Sequence, residues 1–401
     1  MLSVKALVAG VKSWKECVIC PSRGLSARGG ISLRWVAEAY LSKLPSQCRR
    51  SLMAGVGGRS LRLGTLCSGT DAPAAVCRAL CAALPGVLEV EHCFSCENSA
   101  KKRAWILQNF REVPHIFGDV RELCNDVAFD YVSNEFVLVP SVDIVVAGFV
   151  CKSVSAENNK RHLFSDCIRD VSGSTGETFK GVMDYVRRFR PLLVICENVA
   201  GLVKRNHGAS PVINDVAQEF ATCGYAFGYR LLDTRDYLLP QRRQRCWMWA
   251  FRERHGTVPW SVARVIEALA GHRTWPLDAL FRAAGVACPS CERPLNLRER
   301  DVVDVALAKL PPGELGAEVL VDVAKSVKFA PACVGSSTCI LPNSRPFRVR
   351  QGHVLSAEQV HAVQDAFYVG GGWGLFFLLF VNFVAYFLSS VGIYMCIYMY
   401  I

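Results

Sequence analysis

Residues 142–159 read VDIVVAGFVCKSVSAENN and contain the most clearly predicted strand of the chain. The apolar run Ile144–Ala147 is continuous rather than alternating, which is typical of a strand buried on both faces of a sheet. Gly148 ends the run, and Cys151 follows on the loop that leaves its carboxyl end. Open α/β sheets place their chemistry at that edge. Cys151 is therefore a candidate nucleophile, although a lone cysteine is more often a small buried apolar residue.

A second buried strand is predicted within RPLLVICENVAGL, residues 190–202. Its apolar run is Leu192–Cys196, and Glu197 and Asn198 follow at its exit. Because the carboxyl ends of neighbouring parallel strands meet at one sheet edge, we expect Glu197 to face Cys151. A thiol beside a carboxyl group suits nucleophilic attack assisted by an acid. The alternative for Asn198 is the capping of a following helix.

The basic stretch QRRQR, residues 241–245, precedes a third predicted strand at Cys246–Phe251. In an extended segment Gln241, Arg243 and Arg245 alternate and so point to one face. Guanidinium groups at such a place can hold a pyrimidine carbonyl and a phosphate in bidentate fashion. The alternative is a solvated basic edge strand.

These motifs (Gly-Phe-Val-Cys, Glu-Asn-Val and Gln-Arg-Arg-Gln-Arg) resemble those of the cytosine carbon-5 methyltransferase family in order and spacing. Further similarities extend across about Leu61–Phe367, and the succession of motifs is more specific than any one of them. The resemblance implies an α/β fold, a doubly wound Rossmann-like methyltransferase sheet with a smaller target-recognition lobe. It also implies transfer of a methyl group from S-adenosyl-L-methionine to carbon 5 of cytosine.

The resemblance assigns a role to each motif. Cys151 would add as a thiolate to carbon 6 of cytosine. Glu197 would hydrogen-bond or protonate ring nitrogen 3, and Asn198 would orient the loop. Arg243, with Arg245 close by, would hold the base carbonyl and a phosphate.

A cofactor loop is predicted in LRLGTLCSGTDAP, residues 61–73, where a strand meets a helix that begins near Pro73. A glycine at such a turn lets the backbone approach a cofactor, and the helix N-terminus offers N–H donors. An acid at the end of the next strand typically accepts hydrogen bonds from ribose hydroxyls. By resemblance, S-adenosyl-L-methionine would lie at Ser68, Gly69, Thr70, Glu97, Asn98, Asp119 and Val120.

Helices are predicted between these strands. Residues 90–110 read as a strand followed by an amphipathic helix whose inward residues would be Ala104, Ile106, Leu107 and Phe110. Phe179–Arg190 is predicted to cross over between the two catalytic strands. Residues 172–176 are predicted to be a flexible loop that, with residues 151–161, closes over a flipped base.

Five regions are predicted along the 401 residues. Residues 1–60 are a basic extension, for which disorder, an organelle transit peptide and a nucleic-acid-binding arm are all hypotheses. Residues 61–251 are the methyltransferase domain, residues 252–340 the target-recognition region, and residues 341–367 a return segment to the catalytic domain that includes a capping box at Ser356 and Gln359. The apolar tail, residues 368–401, is either a membrane span or a non-native end.

The cysteines and the charge narrow the class of protein. The 19 cysteines form no compact framework, so we expect reduced thiols in an intracellular protein. A zinc site at Cys288, Cys291, Cys333 and Cys339 is an alternative that one CxxC supports weakly, and no metal is predicted. The net charge of +11 favours a polyanionic partner such as nucleic acid.

Three functions follow as hypotheses. The first is a nuclear, monomeric enzyme acting on double-stranded DNA with its cytosine flipped out, and the second is the same chemistry on tRNA. The third is a catalytically impaired nucleic-acid-binding relative, because Val150 stands where the family has Pro, Cys67 where it has Phe and Asp71 where it has Gly, and the family's last motif is absent. The basic N-terminus and the apolar tail leave an organelle and a membrane as alternative locations.

Overall fold

A computed structural model describes residues 60–155, 158, 167–170, 172–204, 210–237, 241–252, 276–283, 286, 294–314, 317–340, 343–357, 359, 360 and 363. The predictions for the basic extension, the apolar tail, Cys288 and Cys291 lie outside these residues. Within them, no helix is both long and apolar enough to cross a membrane.

The main sheet of the described chain has nine strands in the order β5-β4-β3-β2-β1-β6-β7-β9-β8. The strands are β1 Leu61–Leu66, β2 Val90–Cys96, β3 His115–Phe117, β4 Val127–Asp130, β5 Glu135–Leu138, β6 Ile144–Ala147, β7 Leu193–Val199, β8 Tyr225–Asp233 and β9 Gln244–Arg252. The helices associated with this sheet are α1 Ala72–Ala83, α2 Ala100–Asn109, α3 Ser174–Phe189 and α4 Ile213–Thr222.

The sheet is doubly wound, as predicted. Strand β1 pairs in parallel with both β2 and β6, and the chain proceeds outward from β1 to β3 on one side and from β6 to β7 on the other. The order therefore reverses between β1 and β6, and ligands of open α/β sheets bind at such a point. The four residues of β6 are at most 2% exposed, as a strand covered on both faces requires.

Strand β7 is longer than predicted, because it continues through Glu197 and Asn198 to Val199. Its parallel ladder with β6 stops at Cys196, but its antiparallel ladder with β9 extends to the pair Val199 and Arg245. A neighbour supplied by a distant part of the chain thus extends the strand beyond its apolar run.

Helix α3 crosses over from β6 to β7 as predicted, but it begins at Ser174. The prediction of a loop at residues 172–176 is therefore wrong for its last three residues, which form the first helical turn. Gly176 permits this turn to contact the preceding segment, since a Cβ there would lie 2.2 Å from the carbonyl oxygen of Asp170. The face with Phe179 and Met183 is buried, as expected.

Helix α2 departs from its predicted pattern. Ile106 is buried, but Leu107 is 38% exposed, so its predicted inward position is wrong. The helix ends at Asn109, and buried Phe110 is the residue that caps its C-terminus. Consecutive residues of a helix point about 100° apart, so Ile106 and Leu107 cannot both face a narrow contact.

A second sheet of the described residues has the order β11-β10-β12-β13, with β10 Val319–Asp322, β11 Ala332–Val334, β12 Pro346–Arg348 and β13 His353–Val354. Helices α5, Leu277–Ala283, and α6, Leu297–Leu307, precede it. This sheet combines strands from both sides of residue 340, since β12 pairs with β10 and β13 pairs with β12. In the described residues, β12 and β13 therefore belong to this sheet and not to the catalytic sheet. The predicted capping box is present, with Ser356 N–H donating to Gln359 over 3.2 Å and Gln359 N–H donating to Ser356 over 3.1 Å.

Candidate active site

The loop after β6 and the end of β7 are joined by a side chain. Ala147 pairs with Cys196, which places the two strand ends side by side. Asn198 is 1% exposed and donates from Nδ2 to the carbonyl oxygen of Phe149 over 3.0 Å. Because this bond lies two residues before Cys151, it fixes the start of the candidate nucleophile loop.

The far side of the same loop contacts the turn that follows β7. Val154 is 2% exposed, and a Cβ on Gly201 would lie 1.9 Å from the Val154 carbonyl oxygen. Only a residue without a side chain permits this approach. The turn at Ala200–Val203 therefore supports the loop from below.

Glu197 and Arg245 form an ion pair, with 3.0 Å between Glu197 Oε1 and Arg245 Nε. Glu197 is opposite Trp247 on β9, and Arg245 is two residues before Trp247. Residues two apart on a strand share a face, and diagonal neighbours lie within reach of long side chains. The β7–β9 ladder thus brings the acid and the guanidinium group together.

Arg243 lies just before β9, and its Nη1 is 3.7 Å from the Sγ of Cys339, which lies between β11 and β12. Gln241 is 2% exposed and forms a bridge with Ser337. The three residues were predicted to share one face, but their contacts differ. Arg245 pairs with Glu197, whereas Gln241 and Arg243 contact the segment just before Ile340.

The surroundings of Cys151 raise the pKa of its thiol above the ordinary value. Burial is the largest cause, and the negative charge of Glu197 adds to it, whereas Arg245 and Arg243 lower the pKa. Three of the predicted catalytic side chains are thus close enough to act on the thiol electrostatically. At neutral pH the thiol is protonated in this arrangement, so the reactive thiolate needs a change in its surroundings.

The predicted cofactor residues gather at the ends of β1, β2 and β3, on the other side of the switch point. Glu97 is 7% exposed, and its two oxygens accept from Gly69 N–H and Ser99 N–H, each over 2.8 Å. Asp119 accepts from the backbone of Arg121 over 2.9 Å. The Asn98 carbonyl accepts from Arg103 over 2.6 Å.

The side chains of two predicted cofactor residues, Ser68 and Val120, make contacts in the protein interior. The Ser68 hydroxyl contacts Thr65 Oγ1 at 2.8 Å and accepts from the backbone of Cys96 over 3.0 Å. Val120 is 4% exposed and packs against Gly181 of α3. Only their backbones remain to face a ligand.

The loop after β1 has the space and the acceptors that S-adenosyl-L-methionine requires. Gly69 has a φ of +61°, and a Cβ there would meet nothing within 4 Å, so its surface is open. Glu97 accepts from Gly69 N–H, and Asp119 is close enough to Cys67 of the same loop for its charge to act on the thiol. Both carboxylates can accept from hydroxyl and amino groups. Burial, together with the charges of Glu97 and Asp119, raises the pKa of the Cys67 thiol to about 12. The residues present therefore fit this cofactor.

Asp71, at the position of the family's second glycine, keeps a left-handed backbone with a φ of 55°. Its side chain is 0% exposed and turns inward to Ser95 and His92, with 3.3 Å between Asp71 Oδ2 and His92 Nε2. Asp tolerates this conformation better than most residues. The side chain therefore leaves the open surface of Gly69 clear.

Sequence reasoning missed the residues that support the nucleophile loop, namely Gly201, Thr175 and Thr178. A glycine soon after a strand end is a signal of close backbone approach and could have indicated Gly201. Thr175 lies in the stretch predicted to be a loop, and Thr178 lies just before the predicted start of the helix at Phe179, so neither was predicted to lie on a helix face.

The described residues contain no cluster of three or more His, Cys, Asp or Glu side chains that could hold a metal ion. Cys333 and Cys339 are among the described residues, whereas Cys288 and Cys291, the other two members of the alternative zinc site, are not.

The known proteins that this chain is similar to are named as cytosine methyltransferases. The sequence profile of the C-5 cytosine-specific DNA methylase family matches residues 50–273. The DNA (cytosine-5-)-methyltransferase DMT5 of Cryptococcus neoformans is 32% identical over 203 residues, covering 50% of this chain and 8% of that protein. The protein of the same name from Verticillium dahliae is 26% identical over 249 residues, covering 50% of this chain and 10% of that protein.

A solved structure, the S. pombe Dnmt2 methyltransferase, aligns with a TM-score of 0.33 and 15% identity, over 61% of this chain and 59% of that chain. The chain spans about a tenth of the length of the two fungal relatives. The family profile nevertheless covers more than half of the chain and contains all three motifs around the Cys151 loop. The chain belongs to the C-5 cytosine-specific DNA methylase family.

Proposed function

We propose that the chain transfers a methyl group from S-adenosyl-L-methionine to carbon 5 of cytosine in double-stranded DNA, through a covalent adduct with Cys151. Family membership supports the class of reaction. The observation that carries the proposal is the 3.0 Å pair of Glu197 and Arg245, whose charges both act on the Cys151 thiol.

The chemistry follows from this geometry. The Cys151 thiolate forms a bond to carbon 6, and the electrons of the adjacent double bond move into the ring. A proton that Glu197 takes up when the base binds would meet the charge that develops at ring nitrogen 3. Carbon 5 would then take the methyl group, and the donor would leave as S-adenosyl-L-homocysteine. A base removes the carbon 5 proton, the electron pair of that bond reforms the double bond, the Cys151 thiolate departs, and ring nitrogen 3 returns its proton to Glu197.

S-adenosyl-L-methionine, when bound, supplies the electrophilic methyl group. Gly69 would face it with open backbone, and Glu97 and Asp119 would accept hydrogen bonds from it. The switch point between β1 and β6 brings the loops of Gly69 and Cys151 to one edge, so the methyl donor and the thiol can share one substrate.

The base has to meet Glu197 and Arg245 together. Their side chains are 26% and 17% exposed, so a ligand can reach the pair. Binding of cytosine would let Glu197 exchange part of its contact with Arg245 for ring nitrogen 3. Arg243 and Arg245 would then hold the base carbonyl and a phosphate. The base must leave the helical stack to reach them.

The test is transfer of labelled methyl groups from S-adenosyl-L-methionine by the full chain, with double-stranded DNA and tRNA as parallel substrates. The expected result is label in DNA that is lost with Cys151→Ala and kept with Cys81→Ala, a cysteine on α1 outside the site. Label in tRNA alone would replace the proposed substrate. No label on either, with a folded protein, would favour the non-catalytic alternative.

A nuclear location and a monomeric state belong to the same proposal, and the net charge of +11 supports the nucleic-acid partner. Imaging of the full chain fused to a fluorescent protein tests the location, with mitochondria, plastids and membranes as the competing outcomes. Sedimentation at several concentrations tests the monomer.

A further inference from the structure

Two threonines of α3 hold the backbone on either side of Cys151. The N–H of Val150, one residue before the cysteine, donates to Thr178 Oγ1 over 3.2 Å. The N–H of Ser153, two residues after it, donates to Thr175 Oγ1 over 3.2 Å. Both hydroxyls lie on one helix face, since residues three apart are neighbours there.

The Thr178 hydroxyl is oriented for this role. It donates its own proton to the carbonyl oxygen of Ser174 over 2.8 Å, which leaves an oxygen lone pair for the Val150 N–H. The loop between the two contacts is itself closed, because the Cys151 carbonyl accepts from Val154 N–H over 3.1 Å and Ser155 N–H over 2.9 Å. Hydrogen bonds therefore hold the backbone at Val150, at Cys151 and at Ser153.

The helical turn that carries the threonines is a firm support. Thr175 is 0% exposed, so water does not compete for its bond with Ser153. Gly176 seats the same turn against Asp170 at a distance that leaves no room for a side chain. On the opposite side, Asn198 and Gly201 hold the loop against β7.

We propose that Thr175 and Thr178 are positioning residues for Cys151, which keep its thiol in place against Glu197 and Arg245. Val150 has a free φ torsion and an N–H group, and the Thr178 hydroxyl restrains both through one hydrogen bond. For its methyl-transfer readout the inference rests on the proposed function, whereas the reactivity of the thiol tests it independently.

The experiment compares Thr178→Val, Thr178→Ser, Thr175→Val and Thr175→Ser in the full chain. Valine keeps the shape of threonine without the hydroxyl, and serine keeps the hydroxyl. Thr222→Val is the matched control, because Thr222 bonds only the carbonyl of Glu219, over 2.8 Å, at the end of α4. Iodoacetamide labelling of each cysteine is followed by mass spectrometry of the peptides.

Each valine variant should label at Cys151 about three- to tenfold faster near neutral pH, the effect of losing one hydrogen bond that holds the half-buried thiol in place. Buried Cys196 and Cys246 should stay protected, which excludes general unfolding. Both serine variants should restore the rate, and Thr222→Val should match the wild type. In methyl transfer, kcat should fall about tenfold at Thr178→Val with KM little changed.

An unchanged rate at Cys151 in both valine variants would overturn the inference. So would labelling of Cys196 or Cys246 in step with Cys151, or failure of the serine variants to restore the rate. If the wild type transfers no methyl group, the proposed function fails, but the labelling result still decides whether the threonines position the thiol.

Discussion

Asn198 Nδ2 donates to the carbonyl oxygen of Phe149 over 3.0 Å, and this contact joins the strand that carries the candidate acid to the loop that carries the candidate nucleophile. The side-chain oxygen Oδ1 of Asn198 also accepts from the N–H of Val199 over 2.8 Å. The bond to Phe149 is buried, so it matters to stability as well as to geometry.

Asn198→Ala should lower the free energy of unfolding by about 1–3 kcal/mol, because it leaves the buried Phe149 carbonyl without its donor. Methyl transfer should fall with it. Urea denaturation measures the loss. The control is Asn214→Ala, whose amide bonds exposed Ser210 over 2.7 Å and whose removal should cost less than about 0.5 kcal/mol. Equal losses in the two variants would contradict the importance of the Asn198 contact.

Gly201→Ala should displace the nucleophile loop. The added Cβ would lie 1.9 Å from the Val154 carbonyl oxygen, and backbone must shift to admit it. We expect a loss of about 1–3 kcal/mol in urea denaturation, the usual cost of overpacking, and a large loss of methyl transfer. Gly313→Ala is the matched control, because a Cβ there meets nothing within 4 Å. A Gly201→Ala protein with wild-type stability and activity would show that the loop does not depend on this approach.

Glu197→Gln should lower the pKa of the Cys151 thiol. The Glu197 carboxylate raises that pKa, whereas Arg245 lowers it. Removing the negative charge of Glu197 leaves the positive charge of Arg245, which stabilises the thiolate. The pH profile of Cys151 labelling by iodoacetamide should therefore move to lower pH, and that of Arg245→Gln to higher pH. Glu219→Gln, which removes an exposed partner of Arg187, serves as the control. Shifts in the same direction for the two site variants would refute the electrostatic account.

Asp71→Asn should change how stability depends on pH. Burial raises the pKa of Asp71 above its ordinary value of 3.8, against the opposing charge of His92. The folded state then favours the protonated acid, so the stability that Asp71 contributes is full below about 3.8 and declines as pH rises through the folded pKa. Relative to Asp71→Asn, the wild type should lose unfolding free energy as the pH rises above about 4. A constant difference in urea denaturation across that range would contradict this.

The strands of the site could be predicted because their sequences are locally decisive. Ile144–Ala147 is a continuous apolar run, and such a run is stable only where a sheet is covered on both faces. The polar residues that follow the apolar runs of β1, β2, β6 and β7 then fall at one sheet edge by topology alone. The positions of Cys151, Glu197 and Glu97 were predictable for this reason.

The remaining features depend on contacts between distant segments. The extension of β7 through Asn198 requires β9, which pairs with it from about fifty residues further along the chain. The first turn of α3 at Thr175 requires the backbone contact of Gly176, which no local pattern of apolar residues reports. The strand Pro346–Arg348 pairs with Val319–Asp322 on one side and with His353–Val354 on the other. The sequence of so short a strand does not determine which strand it pairs with.

The β7–β9 ladder determines where the chain can gain or lose residues without disturbing the site. Glu197 and Arg245 meet through strand register, so the residues between the turn at Ala200–Val203 and α4 can gain or lose length without moving either group. A slip of one residue in β9 would instead turn Arg245 to the opposite face of the sheet. Natural variation in length should therefore accumulate between the turn at Ala200–Val203 and α4, whereas a single insertion or deletion within β9 should abolish the pair.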